Sequence, residues 1–552
     1  MARARNTVPK RPTIAQYLIK RLHDYGVRHV FGIPGDYILT FYDRLSASPL
    51  KLVGTSKEDG AGFAADAYAR VKGMGAVCVT YCVGGLSIVN AVAGAYAEKS
   101  PVVVISGAPG MDERVNDPLL HHKVRTFSSQ REIFEKITAA AVALEDPETA
   151  FSLIDETLAT CWRLKRPVYF ELPRDLVDAV PRGDYRRQVP AEVSDPAILS
   201  EAVTEAVARL NAAKRPVILA DVEMHRFGLS DELVALVERT GYPVAATILG
   251  KSVIGELHPS YLGVYEGAMG RAEVQRAVED ADCLLMLGTV LSDVNLGVFT
   301  ARLDPARAIE ATSEKVRISR HRYDGIRLGD FVGALLDAPL KRRPKPKARP
   351  RAKPAPLAPA QKIRATRLFE LLDQRLEEDM AVVCDVGLCL FGAIDLTIHR
   401  RTEFIAPAYY TSMGFGVPAS VGAALANPAL RPVVLVGDGA FQMTGMELST
   451  IAAQKLDPIV ILLDNRGYTT ERFINDGPYN DIHPWHYEKM ADLLGVGTGC
   501  VVGSEGEFAA AWDRALGNRG QFSLIVVNLD PLDPCPALKR LGEQMGANCK
   551  PR

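Results

Sequence analysis

One stretch, from Val433 to Asn465, constrains the fold of this chain more than any other. It begins with a buried-type apolar run that ends in Gly437-Asp438-Gly439, continues as a helix-like segment, and ends with a second apolar run before Asn465. Such a pattern predicts a βαβ unit, in which a crossover helix joins two parallel strands. Because parallel strands deliver their carboxyl ends to one edge of a sheet, we expect Asp438 and Asn465 to lie side by side.

A carboxylate and an amide oxygen beside a glycine turn suit Mg²⁺, which accepts few protein ligands and takes its other oxygens from water and phosphate. The glycines that flank Asp438 would let the backbone approach an anion, and the following helix offers free N–H groups at its positive end. The tripeptide alone often marks an ordinary turn. Together with Asn465 after the second strand, it predicts a site for a metal diphosphate.

The same stretch resembles the diphosphate motif of thiamine diphosphate (ThDP, or thiamine pyrophosphate) enzymes. The segment NRGYTTE, from Asn465 to Glu471, is similar to that of the pyruvate and indolepyruvate decarboxylase branch of this family. The resemblance implies that Asp438, Asn465 and the Gly467 carbonyl bind Mg²⁺. It also implies that residues 437–440, namely Gly437, Asp438, Gly439 and Ala440, contact the cofactor.

Composition indicates a globular protein that acts on a small molecule. At 552 residues the chain fits about three domains. A net charge of -1 gives no field that would attract nucleic acid or an anionic membrane, so we expect neither as a partner. Nine scattered cysteines without a CxxC pair favour a reducing compartment, by default the cytoplasm. No apolar run reaches about 18 residues, and we expect neither secretion nor a membrane span.

The predicted fold class is α/β, with three doubly wound parallel-sheet domains. We expect a pyrimidine-binding domain at 1–185, a central Rossmann-like domain at 195–338, a linker at 339–360 and a diphosphate-binding domain at 361–535. The central region has apolar runs such as 283–288 but no GxGxxG between strand and helix, which disfavours NAD or FAD. Prolines alternate with eight basic residues between Lys341 and Lys353, which predicts an extended, mobile linker; contact with a polyanion is the alternative.

Two acidic residues near the amino terminus are candidate catalytic groups. Asp36 ends the turn GIPGD after a short strand, where it could simply cap the next helix. The segment resembles the family's G-x-P-G-D, which implies that Asp36 moves protons at the reacting carbon. Glu58 begins a helix, a position that suits a carboxylate because of the helix dipole. The segment KEDGAGFAADAYAR resembles the family's cofactor helix, which implies that Glu58 binds N1′ of the aminopyrimidine ring and is both catalytic and cofactor-binding.

His121 and His122 form an adjacent pair that could exchange protons near neutral pH, although most such pairs are surface residues without a role. An HH pair this far past the first ThDP segment resembles the decarboxylase branch. That resemblance implies that the two side chains orient a 2-oxo acid and help to protonate the intermediate. The carboligase and oxidase relatives generally lack the pair.

The carboxyl-terminal region supplies the remaining predicted site residues. The segment around Met413 resembles the family's support for the bent cofactor, although core packing is the alternative for a methionine. Glu471 would be a second catalytic carboxylate beside Asp36. By resemblance the substrate pocket comprises Val386, Leu390, Thr470 and Ile474. Leu390 occupies the position of a bulky tryptophan in pyruvate-preferring relatives, and we therefore expect a bulky 2-oxo acid, aromatic or branched.

The predicted function is ThDP- and Mg²⁺-dependent, non-oxidative decarboxylation of a 2-oxo acid to an aldehyde and CO₂. The resemblance further implies a homodimer or homotetramer with sites at the subunit interface. A ThDP carboligase is the first alternative, against which His121, His122 and Glu471 speak. An NAD- or FAD-dependent oxidoreductase is disfavoured by the missing fingerprint, and a scaffold protein by the filled catalytic positions. The sequence does not distinguish among phenylpyruvate, indolepyruvate, branched-chain and smaller acids.

Overall fold

The computed structural model describes residues 11–187, 192–344, 355–399 and 404–549, with side chains up to residue 542. Its contacts divide the chain into two compact units. The first comprises Met1–Ala191 with Val421–Asn427, and the second comprises Glu192–Ser420 with Pro428–Arg552. Part of the predicted linker, 345–354, lies outside the described residues. Among the helices in the described ranges, none combines the length and apolarity that a membrane crossing requires.

A six-stranded parallel sheet organises the first unit. Its strands are β1 (His29–Gly32), β2 (Lys51–Gly54), β3 (Gly75–Val79), β4 (Val102–Ala108), β5 (Ala141–Ala143) and β6 (Val168–Pro173). The helices are α1 (Ile14–Asp24), α2 (Leu39–Ser46), α3 (Glu58–Lys72), α4 (Val83–Ser87), α5 (Val89–Ala97), α6 (Ser129–Ile137) and α7 (Pro147–Leu164). The strand order is β2-β1-β3-β4-β6-β5, with every pair parallel. The crossovers give the predicted wound α/β architecture.

Local sequence signals account for the first helix. Thr13 and Gln16 form a capping box, in which each side chain accepts a hydrogen bond from the other residue's backbone N–H. Ile14, Leu18 and Leu22 are fully buried on one face. Gly26, at φ +91°, follows the helix in the left-handed region that favours glycine. These residues account for the start, the buried face and the end of the helix.

The second unit contains two sheets, of which the first follows in chain order. Its strands are β7 (Pro216–Ala220), β8 (Val244–Ala246), β9 (Tyr261–Val264), β10 (Cys283–Leu287), β11 (Ala308–Ala311), β12 (Val316–Ile318) and β13 (His321–Tyr323). The helices are α8 (Pro196–Ala212), α9 (Val222–Arg226), α10 (Ser230–Thr240), α11 (Ala272–Glu279) and α12 (Leu328–Asp337). The order is β13-β12-β11-β10-β7-β8-β9. The predicted parallel core is confirmed, but β12 and β13 add an antiparallel edge because tight turns join β11, β12 and β13.

The last sheet contains the stretch from Val433 to Asn465. Its strands are β14 (Met380–Cys384), β15 (Phe404–Ile405), β16 (Arg431–Gly437), β17 (Ile459–Asp464), β18 (Thr498–Val502) and β19 (Ser523–Asn528). The helices of this region are α13 (Ala365–Asp373), α14 (Leu388–Ala393), α15 (Gly416–Ala426), α16 (Asp438–Thr444), α17 (Leu448–Ala453), α18 (Thr469–Ile474), α19 (Met490–Leu494), α20 (Glu505–Gly517) and α21 (Pro536–Cys549). The order is β15-β14-β16-β17-β19-β18, entirely parallel.

The βαβ unit forms as predicted, with one difference in its crossover. β16 and β17 pair in parallel from Val433 opposite Ile459 to Gly437 opposite Leu463, so both strands end at the same edge. Two short helices, α16 and α17, make the crossover with a 3₁₀ turn at Gly445–Glu447 between them. The paired apolar residues are buried on both faces, which is typical of a central parallel strand. The sheet therefore presents Asp438 and Asn465 together.

Candidate active site

Asp438 is the first residue of α16 and is almost completely buried at the end of β16. Its carboxylate accepts hydrogen bonds from the Gly439 N–H at 2.8 Å and from the Gly467 N–H at 3.0 Å. Burial raises the pKa of this carboxyl group to about 7; the nearby Asp464 charge also raises it, and the two backbone donors oppose the rise. Apart from these backbone donors, little offsets the negative charge of this buried carboxylate. A cation in contact with it would therefore stabilise it.

Three oxygen-bearing groups converge at this point. One terminal atom of the Asn465 side chain lies 2.8 Å from the Gly467 carbonyl oxygen and 3.2 Å from Asp438 Oδ1. The other lies 2.9 Å from the Thr469 hydroxyl, which donates to the Pro531 carbonyl at 3.1 Å. Because the single hydroxyl proton of Thr469 is donated to Pro531, Thr469 accepts from the Asn465 amide NH₂ group, and this turns the amide oxygen inward. With the amide oxygen turned inward, three oxygens face one another, an arrangement that a hard cation stabilises.

The glycines around this cluster have different structural roles. Gly467, at φ +137°, has no room for a side chain because an added Cβ would lie 2.0 Å from the Asn480 carbonyl oxygen. At Gly439 an added Cβ would lie 2.5 Å from the Tyr468 ring, so this glycine allows aromatic packing. Gly437 faces open space within 4 Å. Of the two glycines that flank Asp438, Gly437 therefore leaves room for an anion, whereas Gly439 makes room for Tyr468.

A cavity of about 540 Å³ opens beside the oxygen cluster within the second unit. It brings together the predicted residues of that unit, which are Val386, Leu390, Met413, Gly437, Asp438, Gly439, Ala440, Asn465, Gly467, Thr470, Glu471 and Ile474. The floor is therefore polar, and much of the wall is aliphatic. Such a cavity can hold a molecule that has an anionic end and an apolar body.

Several residues that line this cavity were not predicted from the sequence. Met269, Val294 and Val298 line it from the middle of the chain, and Leu541 lines it from α21. The role of the tail was not readable from the sequence alone, although the buried Leu538 and Leu541 lie at helical spacing and would have been the available signal. Segments that are distant in sequence thus meet at one cavity.

Asp385 is a further residue that sequence reasoning missed. It follows β14, is fully buried, and accepts hydrogen bonds from the Gly414 N–H at 3.1 Å and the Gly416 N–H at 2.8 Å. Burial raises the pKa of its carboxyl group to about 6, against the effect of these donors. Asp385 therefore fixes the backbone immediately after Met413. Its signal was a carboxylate at the carboxyl end of a predicted strand.

The first unit brings three of its predicted residues together. His121 Nε2 lies 2.8 Å from Asp36 Oδ2 although 85 positions separate them, and the rings of His121 and His122 are 4.7 Å apart. Tyr37 stacks on His121 at 4.7 Å, and its hydroxyl lies 3.3 Å from His121 Nδ1. The Asp36 and His121 side chains are 43% and 57% exposed, which leaves them accessible to a ligand. The arrangement can bind an anionic or carbonyl group and transfer protons.

Glu58 begins α3 and is partly buried, at the helix position that the dipole favours. Further along this helix, an added Cβ at Gly62 would lie 2.6 Å from Ala91 Cβ of α5. The small residues of α3 and α5 therefore allow the two helices to pack closely.

Comparison with known proteins gives matches along most of the chain. Residues 12–132 match the thiamine pyrophosphate enzyme N-terminal TPP binding domain, 203–338 match the central domain, and 385–527 match the C-terminal TPP binding domain. An indole-3-pyruvate decarboxylase from Azospirillum brasilense is 39% identical over 522 residues, which cover 93% of this chain and 94% of that protein.

Two further relatives show similar coverage. An alpha-keto-acid decarboxylase from Mycolicibacterium paratuberculosis is 35% identical over 534 residues, or 94% of each chain. A pyruvate decarboxylase from Aspergillus fumigatus is 34% identical over 500 residues, which are 88% of this chain and 87% of that protein.

Proposed function

We propose that this chain, which belongs to the thiamine pyrophosphate enzyme family, decarboxylates a 2-oxo acid to an aldehyde and CO₂ without oxidation. The relatives named as decarboxylases of indole-3-pyruvate, alpha-keto acids and pyruvate, each similar over most of the chain, support this reaction. The observation that carries the proposal is the polar cluster of Asp438, Asn465 and Gly467 at the floor of a largely aliphatic cavity.

The metal is proposed to be Mg²⁺, held by the Asp438 carboxylate, the Asn465 amide oxygen and the Gly467 carbonyl. All three are hard oxygen ligands, and three protein ligands leave positions for water and for diphosphate oxygens. The Gly439 and Gly467 N–H groups orient the carboxylate, and Gly437 leaves the space beside it open. Ala440 continues this diphosphate-contacting segment into α16.

When bound, ThDP supplies a carbon nucleophile and an acceptor for the electron pair that CO₂ leaves behind. The chain's residues bind and orient this cofactor. Glu58 is proposed to hold a proton at N1′ of the aminopyrimidine ring. Met413 is proposed to support the cofactor between its two rings. The Asp385 carboxylate holds the backbone that follows Met413 through hydrogen bonds from the Gly414 and Gly416 N–H groups.

Four side chains are proposed to orient the substrate or to transfer protons during the reaction. His121 and His122 would orient the 2-oxo acid, with the Tyr37 ring holding the His121 imidazole in place. Asp36 accepts or returns a proton through its 2.8 Å contact with His121. Glu471, from α18 at the cavity wall, would act at the reacting carbon.

The substrate is proposed to be bulky, such as phenylpyruvate or indolepyruvate. Its side chain would contact Val386, Leu390, Thr470 and Ile474, which line the same cavity. The apolar side chains of Val386, Leu390 and Ile474 suit an aromatic substrate side chain. The similarity to an indole-3-pyruvate decarboxylase supports this choice.

We also propose the domain boundaries, the oligomeric state and the cellular location of the protein. We retain a pyrimidine-binding domain at 1–185, a central domain at 195–338, a linker at 339–360 and a diphosphate-binding domain at 361–535. Family resemblance implies a homodimer or homotetramer with each site at a subunit interface. A cytoplasmic location is supported by the eight cysteines with described side chains, all of which are free.

Aldehyde formation, coupled to an alcohol dehydrogenase, tests the proposal. Pyruvate, 2-oxoisovalerate, phenylpyruvate and indolepyruvate are each assayed with and without ThDP and Mg²⁺. We expect turnover that requires the cofactor and is greatest with the aromatic acids. Absence of aldehyde from every acid, in protein shown to bind ThDP, would contradict decarboxylation; a preference for pyruvate would contradict the proposed substrate alone.

A further inference from the structure

Within the part of the chain that the structure describes, one group of His, Cys, Asp or Glu side chains is close enough to share a metal ion. It consists of Asp36, His121 and His122, whose candidate ligand atoms all lie within 4.8 Å of one another. We propose that these three residues form a transition-metal site of the Zn²⁺ type, separate from the Mg²⁺ site, and that its occupancy inhibits the enzyme. The inhibition, but not the metal binding, rests on the proposed function.

The donor set indicates which metals would bind. Two imidazoles and one carboxylate favour Zn²⁺, Co²⁺ or Ni²⁺ over Mg²⁺, which prefers oxygen ligands alone. Ligand bonds of about 2.0–2.2 Å place tetrahedral donors about 3.3 Å apart. The 2.8 Å separation of His121 Nε2 and Asp36 Oδ2 would therefore open slightly around the ion, with the intervening proton released.

The surroundings hold the imidazole in a suitable orientation. If His121 binds through Nε2, its Nδ1–H faces the Tyr37 hydroxyl at 3.3 Å, the kind of outer partner that metal-bound histidines use. The stacked Tyr37 ring restricts rotation of the imidazole. The Asp36 and His121 side chains are about half exposed, so an ion has a route to them.

The local charge balance also permits a cation. Arg174 Nη1 lies 3.8 Å from Asp36 Oδ2. Without a partner, the positive charge of Arg174 would repel a metal cation. Its guanidinium is paired with Glu113 through two hydrogen bonds, which places a second carboxylate beside it. Asp36, Glu113 and Arg174 together leave one negative charge next to the two imidazoles.

Occupancy would inhibit because the metal uses the electron pairs with which these groups accept protons. A metal-bound imidazole no longer takes up a proton at the ligating nitrogen, and a metal-bound carboxylate is a weaker base. Under the proposed function, Asp36, His121 and His122 would lose their proton-transfer role while ThDP and Mg²⁺ stay in place.

Metal binding can be measured without turnover. The full chain is loaded with ThDP and Mg²⁺, freed of excess ligand, and titrated with Co²⁺ by absorption spectroscopy and with Zn²⁺ by calorimetry. A parallel titration of protein without ThDP makes the result independent of the proposed function. We expect one ion per chain, visible Co²⁺ bands of a nitrogen-ligated centre, and reversal by EDTA followed by fresh Mg²⁺.

Variants identify the site. His121→Gln, His122→Gln and Asp36→Asn should each weaken Zn²⁺ binding by roughly 10-fold or more and abolish the Co²⁺ bands. The matched control is His321→Gln, because His321 Nδ1 lies 2.8 Å from the Glu205 carboxylate without a second histidine in the group. It should bind Zn²⁺ as the unmodified chain does. Unchanged binding in His122→Gln and Asp36→Asn, with circular dichroism showing intact folds, would overturn the proposal, as would the absence of Co²⁺ bands.

Discussion

The backbone N–H of Gly467 donates a 3.0 Å hydrogen bond to the Asp438 carboxylate, although the two residues follow different strands. The carbonyl oxygen of the same glycine lies 2.8 Å from the Asn465 side chain. Gly467 thus orients one proposed metal ligand with its N–H and offers another with its carbonyl. This double role depends on a φ of +137°, which side chains rarely allow.

Gly467→Ala should damage both stability and cofactor binding. The added Cβ would lie 2.0 Å from the Asn480 carbonyl oxygen, and the backbone strain alone costs about 1–3 kcal/mol. Thermal unfolding and ThDP titration in the presence of Mg²⁺ measure the two effects. Gly495→Ala is the control, because Gly495 has φ +66° but no atom within 4 Å of an added Cβ. Equal melting temperatures and ThDP affinities in the two variants would contradict this explanation.

Asp438→Asn should weaken ThDP binding in the presence of Mg²⁺ by roughly 10- to 100-fold or more, because the amide removes the charge that holds the cation. Without ligands we expect an unchanged or higher melting temperature, since the variant no longer buries a carboxylate. Fluorescence titration and thermal unfolding, each with and without cofactors, check both expectations. Asp457→Asn, which changes a partly exposed carboxylate paired with Arg519, is the control. Normal ThDP affinity in Asp438→Asn would contradict the proposed ligand set.

Leu390→Trp should shift the substrate preference towards small acids. Leu390 is buried at the cavity wall, and an indole ring there would occupy space proposed for the substrate side chain. We expect the ratio of kcat/KM for phenylpyruvate to that for pyruvate to fall roughly 10- to 200-fold. Leu390→Met, which conserves volume, should leave the ratio nearly unchanged. An unchanged ratio in the tryptophan variant would place the substrate side chain elsewhere.

His29 should contribute a pH-dependent loss of stability in acid. Burial, together with the charges of Lys51 and Lys72, lowers the pKa of its imidazole from 6.5 to about 4. The unfolded chain therefore binds the proton more readily between these values, so His29 makes stability fall as the pH drops from about 6.5 to about 4. His29→Gln should reduce the fall in melting temperature over that range, and His23→Gln, which changes a partly exposed histidine, should not. Parallel pH profiles for all three proteins would refute the assignment.

The predictions from sequence succeeded where the signal came from one supersecondary unit. Two apolar runs with polar ends sufficed to predict that Asp438 lies near Asn465. Parallel pairing then determines the geometry, because both strands must end at one edge. The family resemblance added further predicted site residues, such as Leu390 and Glu471, and these line the same cavity.

The remaining features depend on long-range packing that no local pattern specifies. Leu541 and Met269 reach the cavity through the folding of the tail and the middle region, which the sequence did not relate to each other. The antiparallel edge formed by β12 and β13 follows from short turns whose strands have three residues each, too short for periodicity to reveal. The contact of Tyr37 with His121 likewise depends on the path of a loop.

The stoichiometry of the reaction tests the central claim most directly. The protein is dialysed against EDTA, restored with ThDP and Mg²⁺, and supplied with phenylpyruvate while acid consumption, CO₂ and aldehyde are measured together. The account predicts no reaction before restoration and, afterwards, one CO₂ and one aldehyde for each acid consumed. One 2-hydroxy-3-oxo acid and one CO₂ for every two acids consumed would indicate a carboligase, and consumption that does not depend on ThDP and Mg²⁺ would contradict the account.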